Sequence, residues 1–148
     1  MIDLRNQELI KVMWSPDEDE ILFDIKNGIP IPHTSKLYVY LAEHISVNKW
    51  RDLYKAKYED WLYKDDASIY DINHKVNTTM IYAISKVNET LSGKMLLYWF
   101  DVDRTTNENF VWQECPLSQN RLLRLGANYP QINVLMSPDY PLIFPHNP

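Results

Sequence analysis

The chain has little glycine and a single cysteine, and each shortage excludes a class of protein. Of its 148 residues only three are Gly, at positions 28, 93 and 126. This spacing allows neither a GxGxxG dinucleotide-binding loop nor a P-loop, and we predict no cofactor. The lone Cys115 has no second cysteine with which to form an internal disulfide, which favours a reducing compartment.

Long apolar runs are also missing from the sequence. No segment approaches the roughly 20 apolar residues of a transmembrane helix. The N-terminal segment MIDLRNQELI lacks the apolar core of a signal peptide. The sequence therefore predicts a cytoplasmic protein without membrane association, located in the host cytoplasm or the virion if a virus encodes it.

Positive charge is in deficit, which disfavours nucleic acid as a partner. The chain carries 20 Asp and Glu residues against 15 Lys and Arg, for a formal net charge of −5. Such a surface repels phosphates. A mimic of nucleic acid is a further alternative, but the basic residues interspersed among the acids weaken it. The many Asn, Lys, Ile and Tyr residues are typical of an AT-rich genome such as that of a phage.

The longest periodic pattern runs from Ser68 to Gly93. Ser68 suits an N-cap, and Gly93 suits a left-handed C-terminal position. Apolar residues between them recur at steps of three and four, which places them on one stripe of a helix. These residues are Ile69, Ile72, Val76, Met80, Ala83, Ile84, Val87 and Leu91. The pattern predicts a long amphipathic helix that crosses the domain.

The remaining elements are predicted from caps and periodicity. A helix capped by Thr34 or Ser35 is expected to run through Ile45, and a second capped by Ser46 through Tyr63. The alternative is one bent helix over both segments. Apolar or alternating segments predict strands. The predicted strands are Glu8–Trp14, Lys94–Val102, Phe110–Cys115 and Gln131–Met136. Lys94–Val102 and Phe110–Cys115 are predicted to form a hairpin. A short helix is predicted at Leu117–Leu125, before the last strand.

Together the patterns predict a single α+β domain over residues 1–136. Its N-terminal two-thirds is helical, and the long central amphipathic helix packs on a small antiparallel sheet. Residues 137–148 contain four prolines and are predicted to form a Pro-rich extended tail.

The segment Ser15–Gly28 has two interpretations. Ser15 as N-cap with acids in the first turn favours a helix, which we slightly prefer. The alternative is a hairpin with SPDEDE as its loop and Ile21–Ile25 as its second strand. In the hairpin, Asp17 and Asp24-Ile25-Lys26 resemble in letters the PD…(D/E)xK pattern of metal-dependent nucleases, with a shorter separation than that pattern has.

Aromatic residues are abundant, at 13% of the chain. Trp50, Tyr54, Tyr58 and Trp61 share one helix face, which is either core or an exposed anchor surface, since Trp and Tyr are enriched at interface hot spots. A stacking platform for bases or sugars is a third option, and the acidic net charge disfavours bases. The apolar run in the tail either folds back on the core or docks on a neighbour. The predicted partner-binding residues are Trp50, Tyr54, Trp61, Tyr140, Leu142, Ile143 and Phe144.

These features predict a non-catalytic protein–protein interaction module that binds a protein partner or self-associates. The composition suggests that a phage or mobile element encodes it, as an assembly subunit or an inhibitor of a host protein. The alternative is a metal-dependent phosphoryl or glycosyl transfer enzyme. Asp101-Val102-Asp103 lies at the end of a predicted strand, and paired carboxylates at a strand end can hold Mg²⁺ or Mn²⁺.

Overall fold

The computed structural model describes residues 7–125 and 133–146. These residues form three α-helices, six strands and one turn of 3-10 helix. The helices are α1 (Lys36–Ala42), α2 (Val47–Lys64) and α3 (Lys75–Thr90), and the 3-10 turn is Ser68–Tyr70. The strands are β1 (Glu8–Val12), β2 (Leu22–Asp24), β3 (Lys94–Trp99), β4 (Leu123–Arg124), β5 (Val134–Met136) and β6 (Leu142–Pro145). No helix in these two ranges has the length and apolar character needed to cross a membrane.

The six strands form one mixed sheet in the order β2-β1-β3-β6-β5-β4. Both neighbours of β3, which are β1 and β6, run parallel to it. The pairs β1–β2, β5–β6 and β4–β5 are antiparallel. The crossover from β1 to β3 passes through all three helices, and such a crossover brings a chain back parallel to the strand it left.

The predicted fold class is therefore wrong in two respects. The sheet is mixed rather than small and antiparallel. The N-terminal two-thirds is not uniformly helical, because β1 and β2 precede the helices and belong to the same sheet as the C-terminal strands.

The helices cover one face of the sheet. Leu96 and Tyr98 of β3 lie in the large core that is shared with the helices, whereas Leu97 lies in a second cluster on the opposite face. The apolar stripe of α3 is buried in the large core, as predicted. In α2, by contrast, only Trp50 is fully buried, and Tyr54, Tyr58 and Trp61 are partly buried at the edge of the core.

The structure confirms the predicted starts of the first two helices, with Ser35 rather than Thr34 as the cap of the first. Ser35 caps α1 by accepting a hydrogen bond from the backbone N–H of Leu37. Ser46 caps α2 by accepting one from the N–H of Lys49. Both caps depend only on local sequence, which is why they could be predicted.

The predicted start of the central helix at Ser68 is wrong. Ser68 begins the 3-10 turn, and its hydroxyl donates a hydrogen bond to Asp66 instead of capping a helix. The helix begins after His74, whose Nδ1 accepts a hydrogen bond from the N–H of Val76. At the other end Gly93 has a φ of +76° in the turn that leads to β3, a conformation that favours glycine.

The segment Ser15–Gly28 contains the loop and the second strand of a hairpin whose first strand is β1. The preferred helix is therefore wrong, and the alternative is correct. Ile21 and Leu22 are buried, and their backbone N–H groups donate to the Tyr38 hydroxyl of α1. These long-range contacts outweigh the local capping signal. Asp17 lies in the loop before β2 and Asp24 is the last residue of that strand.

Two elements predicted between β3 and β5 are absent from the described residues. The segment Phe110–Cys115 forms only one isolated bridge, from Glu114 to Arg121, and it does not pair with β3. The segment Leu117–Leu125 contains turns and β4 rather than a helix. The positions on either side of β3 are filled by β1 and β6, so a local hairpin partner has no place there.

The C-terminal segment contributes a strand to the interior of the sheet. β6 lies between β3 and β5, with Tyr98 opposite Leu142 and Met136 opposite Ile143. The predicted strand Gln131–Met136 is seen as β5 at its C-terminal half, while positions 131 and 132 lie outside the described residues.

Candidate functional site

An open cleft lies where the parallel strands β1 and β3 reach their carboxyl ends. Its volume is about 360 Å³, and its lining comes from α2, the 3-10 turn and the segments that follow these two strands. Ligand sites in open α/β sheets commonly occupy this position. We call it the aromatic cleft, and the residues that define it are Trp14, Tyr54, Tyr58, Trp61, Tyr70 and Asp103.

The rings of the aromatic cleft form a continuous ladder. Trp14 stacks on Tyr54 with ring centroids 5.4 Å apart and packs against Tyr58 at 5.1 Å. Tyr58 packs against Trp61 at 5.9 Å, and Trp61 meets Tyr70 edge to face at 5.4 Å. Such pairs add about 0.5–1.5 kcal/mol each beyond the burial of the rings. The contacts fix the ring positions, so the cleft is preformed.

The helix α2 supplies three of these rings from one face. Tyr54, Tyr58 and Trp61 are spaced by four and three residues, which places them one above the other along the helix. All three are only partly buried, unlike Trp50 one turn earlier. The ladder therefore runs from the core outward, and its outer rings are accessible from the cleft.

The carboxylate of Asp103 lies beside Trp61. Its Oδ2 accepts a hydrogen bond from the indole Nε1 of Trp61 at 3.0 Å. Its Oδ1 accepts from the Thr105 hydroxyl at 2.6 Å and from the Thr105 backbone N–H at 3.0 Å. These bonds, those of Thr105 above all, hold the pKa of Asp103 below its usual value, so this carboxylate is ionised at neutral pH. No cation in the described parts of the chain forms an ion pair with it.

The second carboxylate, Asp101, is neutralised by Arg104. The guanidinium donates from Nε to Oδ2 and from a terminal nitrogen to Oδ1, both at 2.9 Å, in a bidentate ion pair. Oδ1 also accepts from the Trp112 indole at 3.0 Å and from the backbone N–H of the next residue at 2.8 Å. Asp101 therefore ties the end of β3 to the segment around Trp112. Among the described groups, the cleft keeps one uncompensated charge, on Asp103.

The phenol of Tyr70 is affected by this negative charge. Burial, followed by the charges of Asp103 and Asp101, raises the pKa of Tyr70 to about 12. Burial also raises the pKa of Tyr54. Both phenols are therefore neutral at physiological pH, and their rings add no negative formal charge to the cleft.

The predicted partner-binding residues are divided between the cleft and the interior. Tyr54 and Trp61 line the cleft. Tyr140 is exposed in the loop between β5 and β6, away from the cleft lining. The other four are interior side chains with 0–3% exposure, so they belong to no accessible surface. They are Trp50, Leu142, Ile143 and Phe144.

Two cleft residues, Trp14 and Tyr70, were not predicted from the sequence. Neither lies on α2, and each reaches the ladder only through the tertiary fold. The sequence did carry a signal for Trp14, because Trp14 and Asp101 each lie two residues beyond the end of a strand. Parallel pairing of β1 and β3 places these positions at one edge of the sheet. Because β3 was predicted to pair with a local antiparallel strand, that prediction did not place Trp14 beside Asp101.

The predicted metal pair, Asp101 and Asp103, does reach one cleft, but internal donors hold each carboxylate. Within residues 7–125 and 133–146 no group of three or more His, Cys, Asp or Glu side chains has metal-binding geometry. Comparison with protein-family models, with curated proteins and with solved structures finds no match for this chain.

Proposed function

We propose that the protein is a non-catalytic protein–protein interaction module that binds its partner through the aromatic cleft. The observation that carries this proposal is the ladder of partly buried rings, which leaves Tyr58 and Trp61 accessible in a preformed cleft. Tyr and Trp supply a large contact area with little loss of side-chain entropy, and they dominate interface hot spots.

The hydrogen bonding of the two carboxylates supports a binding role over a catalytic one. Asp101 is occupied by Arg104 and Trp112, and Asp103 by Trp61 and Thr105. Carboxylates that act as metal ligands or bases need free lone pairs directed at the reacting atoms. Here most of the lone pairs organise the walls of the cleft. Origin from a phage or mobile element, a role in assembly or host inhibition, and a cytoplasmic location stay predictions from composition.

Replacement of Tyr58 by Ala is expected to weaken partner binding. Peptides selected from a random library for binding to the wild-type chain serve as the partner. Loss of one hot-spot ring costs about 2 kcal/mol, or roughly thirtyfold in Kd, measured by calorimetric titration. Tyr58→Phe keeps the ring and should bind as the wild type does.

The matched control for this experiment is Tyr63→Ala. Tyr63 is on the same helix but is 81% exposed and outside the cleft. Its replacement should leave the Kd unchanged, and circular dichroism should show that both variants are folded. Equal binding by Tyr58→Ala and the wild type, or loss of binding in Tyr63→Ala, would contradict the proposal.

The metal-dependent transfer enzyme remains the alternative, and it makes the opposite prediction for divalent metal. A metal bound at a hundredfold excess over its Kd adds about 2.7 kcal/mol, which is roughly 5–10 °C in Tm for a chain of this size. We expect no such shift when Mn²⁺ is added in a melting scan, because Arg104 already neutralises Asp101. A shift that disappears in Asp101→Asn would favour the enzyme instead.

A further inference from the structure

We infer that the aromatic cleft binds a cationic side chain, a lysine or arginine, of the protein partner. The inference rests on the proposed function and specifies the chemistry of the group that enters the cleft. It is carried by the position of one ionised carboxylate, Asp103, among ring faces on a fixed ladder.

The charge balance of the cleft favours one positive charge. Asp101 and Arg104 cancel in a bidentate pair, and the remaining guanidinium nitrogen of Arg104 donates to the carbonyl oxygen of Phe110 at 2.6 Å. Each of the three guanidinium nitrogens of Arg104 therefore has a partner other than Asp103. Asp103 is left with its formal charge and no cation beside it among the described residues. An anionic group would meet this charge, whereas a monovalent cation would neutralise it.

The rings supply the second attraction. A cation over the face of Trp or Tyr interacts with the ring quadrupole, and several rings around one site are the usual means of recognising alkylated ammonium groups. The rings of Trp14, Tyr58, Trp61 and Tyr70 all line the same cleft of about 360 Å³. The methylenes of a long cationic side chain would lie on the rings while its charged end approaches Asp103.

The acceptors that remain free suit a group with few hydrogen-bonding demands. Oδ1 of Asp103 takes two donors from Thr105, whereas Oδ2 takes only the Trp61 indole and keeps one lone pair. On Asp101, Oδ2 takes only the Nε of Arg104. A bound cation would therefore find one or two free acceptor oxygens and several ring faces. Few acceptors and many ring faces are expected of a site that recognises its ligand by cation–π interaction.

The test uses small cations that reproduce the two side chains. The full-length chain is titrated with n-butylammonium and with ethylguanidinium at constant ionic strength, and n-butanol serves as the neutral probe of similar size. The readouts are tryptophan fluorescence and the NMR shift of the Trp61 indole N–H. Saturable shifts are expected with the cations but not with n-butanol. Asp103→Asn, which removes the charge and keeps the size of the side chain, should weaken cation binding about tenfold.

The matched charge control is Asp65→Asn. Asp65 lies at the C-cap of α2 with a left-handed φ of 55°, which Asn accepts, and it is outside the cleft. This variant should bind the cations as the wild type does. Equal response to n-butanol and the cations, or an unchanged response in Asp103→Asn, would overturn the inference.

The peptides selected for the proposed function separate the two hypotheses. Peptides that depend on Tyr58 and share a Lys or Arg support both. Peptides that depend on Tyr58 but bind equally well after that residue is replaced by Gln would overturn the cationic occupant and leave the interaction module standing. Failure to obtain any peptide that depends on Tyr58 would overturn the proposed function. The inference that the cationic side chain belongs to a protein partner would then fail as well.

Discussion

A chain shortened by deletion of Ser137–Pro148 is expected not to fold. The deletion removes β6, which lies between β3 and β5. It also removes Leu142, Ile143 and Phe144, each 0% exposed. Burial of side chains of this kind contributes about 1.5–3 kcal/mol each, so the loss of about 5–9 kcal/mol is comparable to the whole stability of a typical domain. Separation of β4 and β5 from the sheet adds to this loss.

The measurement is thermal and urea unfolding followed by circular dichroism. The truncated chain should show no cooperative transition, and its helical signal should fall, because α3 packs on a sheet that can no longer form. The matched control is a chain that ends at His146, which keeps all of β6 and should unfold as the full chain does. A cooperative transition with unchanged helical signal in the truncated chain would show that the C-terminal segment is a separable arm.

The elements that the sequence predicted well are those fixed by local chemistry. Ser35 and Ser46 cap α1 and α2 through hydrogen bonds to residues two or three positions later, so the neighbouring sequence suffices. The apolar stripe of α3 is likewise a local period. The helix starts were misplaced only where a side chain found another partner, as Ser68 did with Asp66.

The elements that the sequence predicted poorly depend on distant partners. The neighbours of β3 in the sheet are β1, about 85 residues earlier, and β6, about 45 residues later, as the paired positions show. A local hairpin between β3 and Phe110–Cys115 is the simplest inference from periodicity. The parallel pairings of β3 with β1 and β6 take its place, and no local pattern reveals them. The prolines of the last twelve residues suggested an irregular tail, yet Pro141 and Pro145 flank the buried apolar run of β6 and interrupt none of its interior positions.

The candidate site divides in the same way. Tyr54 and Trp61 were selected because the period of α2 aligns them, and both line the cleft. Trp14 and Tyr70 come from other elements and meet α2 only in the folded chain. Paired carboxylates at Asp101 and Asp103 suggested metal. The donors Trp61 and Trp112 reach these carboxylates only through the fold, which sequence spacing does not encode. Arg104 and Thr105, by contrast, lie three and two residues from their acceptors, so these two donors were open to local prediction.

Replacement of Asn77 by Leu is expected to lower the free energy of unfolding by about 3–5 kcal/mol. Asn77 is 1% exposed, and its Oδ1 accepts a hydrogen bond from the Tyr98 hydroxyl at 2.6 Å. Its Nδ2 donates to the carbonyl oxygens of Ile69 at 3.2 Å and Asp71 at 2.8 Å. This one side chain thus joins α3 to β3 and to the 3-10 turn. Leu has a similar size but can neither accept from the phenol nor donate to the carbonyls, and each buried polar group left unpaired costs about 1–3 kcal/mol. The Asp71 carbonyl keeps the His74 N–H as a donor, so the cost falls on the phenol and the Ile69 carbonyl.

A double-mutant cycle separates the hydrogen bond from the change in packing. Tyr98→Phe removes the hydroxyl that Asn77 accepts from, so in the double variant Asn77→Leu with Tyr98→Phe no buried phenol is left without an acceptor. The double variant should therefore be more stable than the sum of the single effects by about 1–2 kcal/mol. Urea unfolding followed by tryptophan fluorescence measures all four proteins.

The control for the cycle is Asn73→Leu, at an exposed position just before α3. This change should alter the free energy of unfolding by less than about 0.5 kcal/mol, because its side chain faces solvent. A coupling energy near zero between positions 77 and 98 would mean that the Tyr98 hydroxyl finds another acceptor. In that case the junction of α3 with β3 would depend on apolar packing alone, and the large effect predicted for Asn77→Leu would have to come from the Ile69 carbonyl of the 3-10 turn.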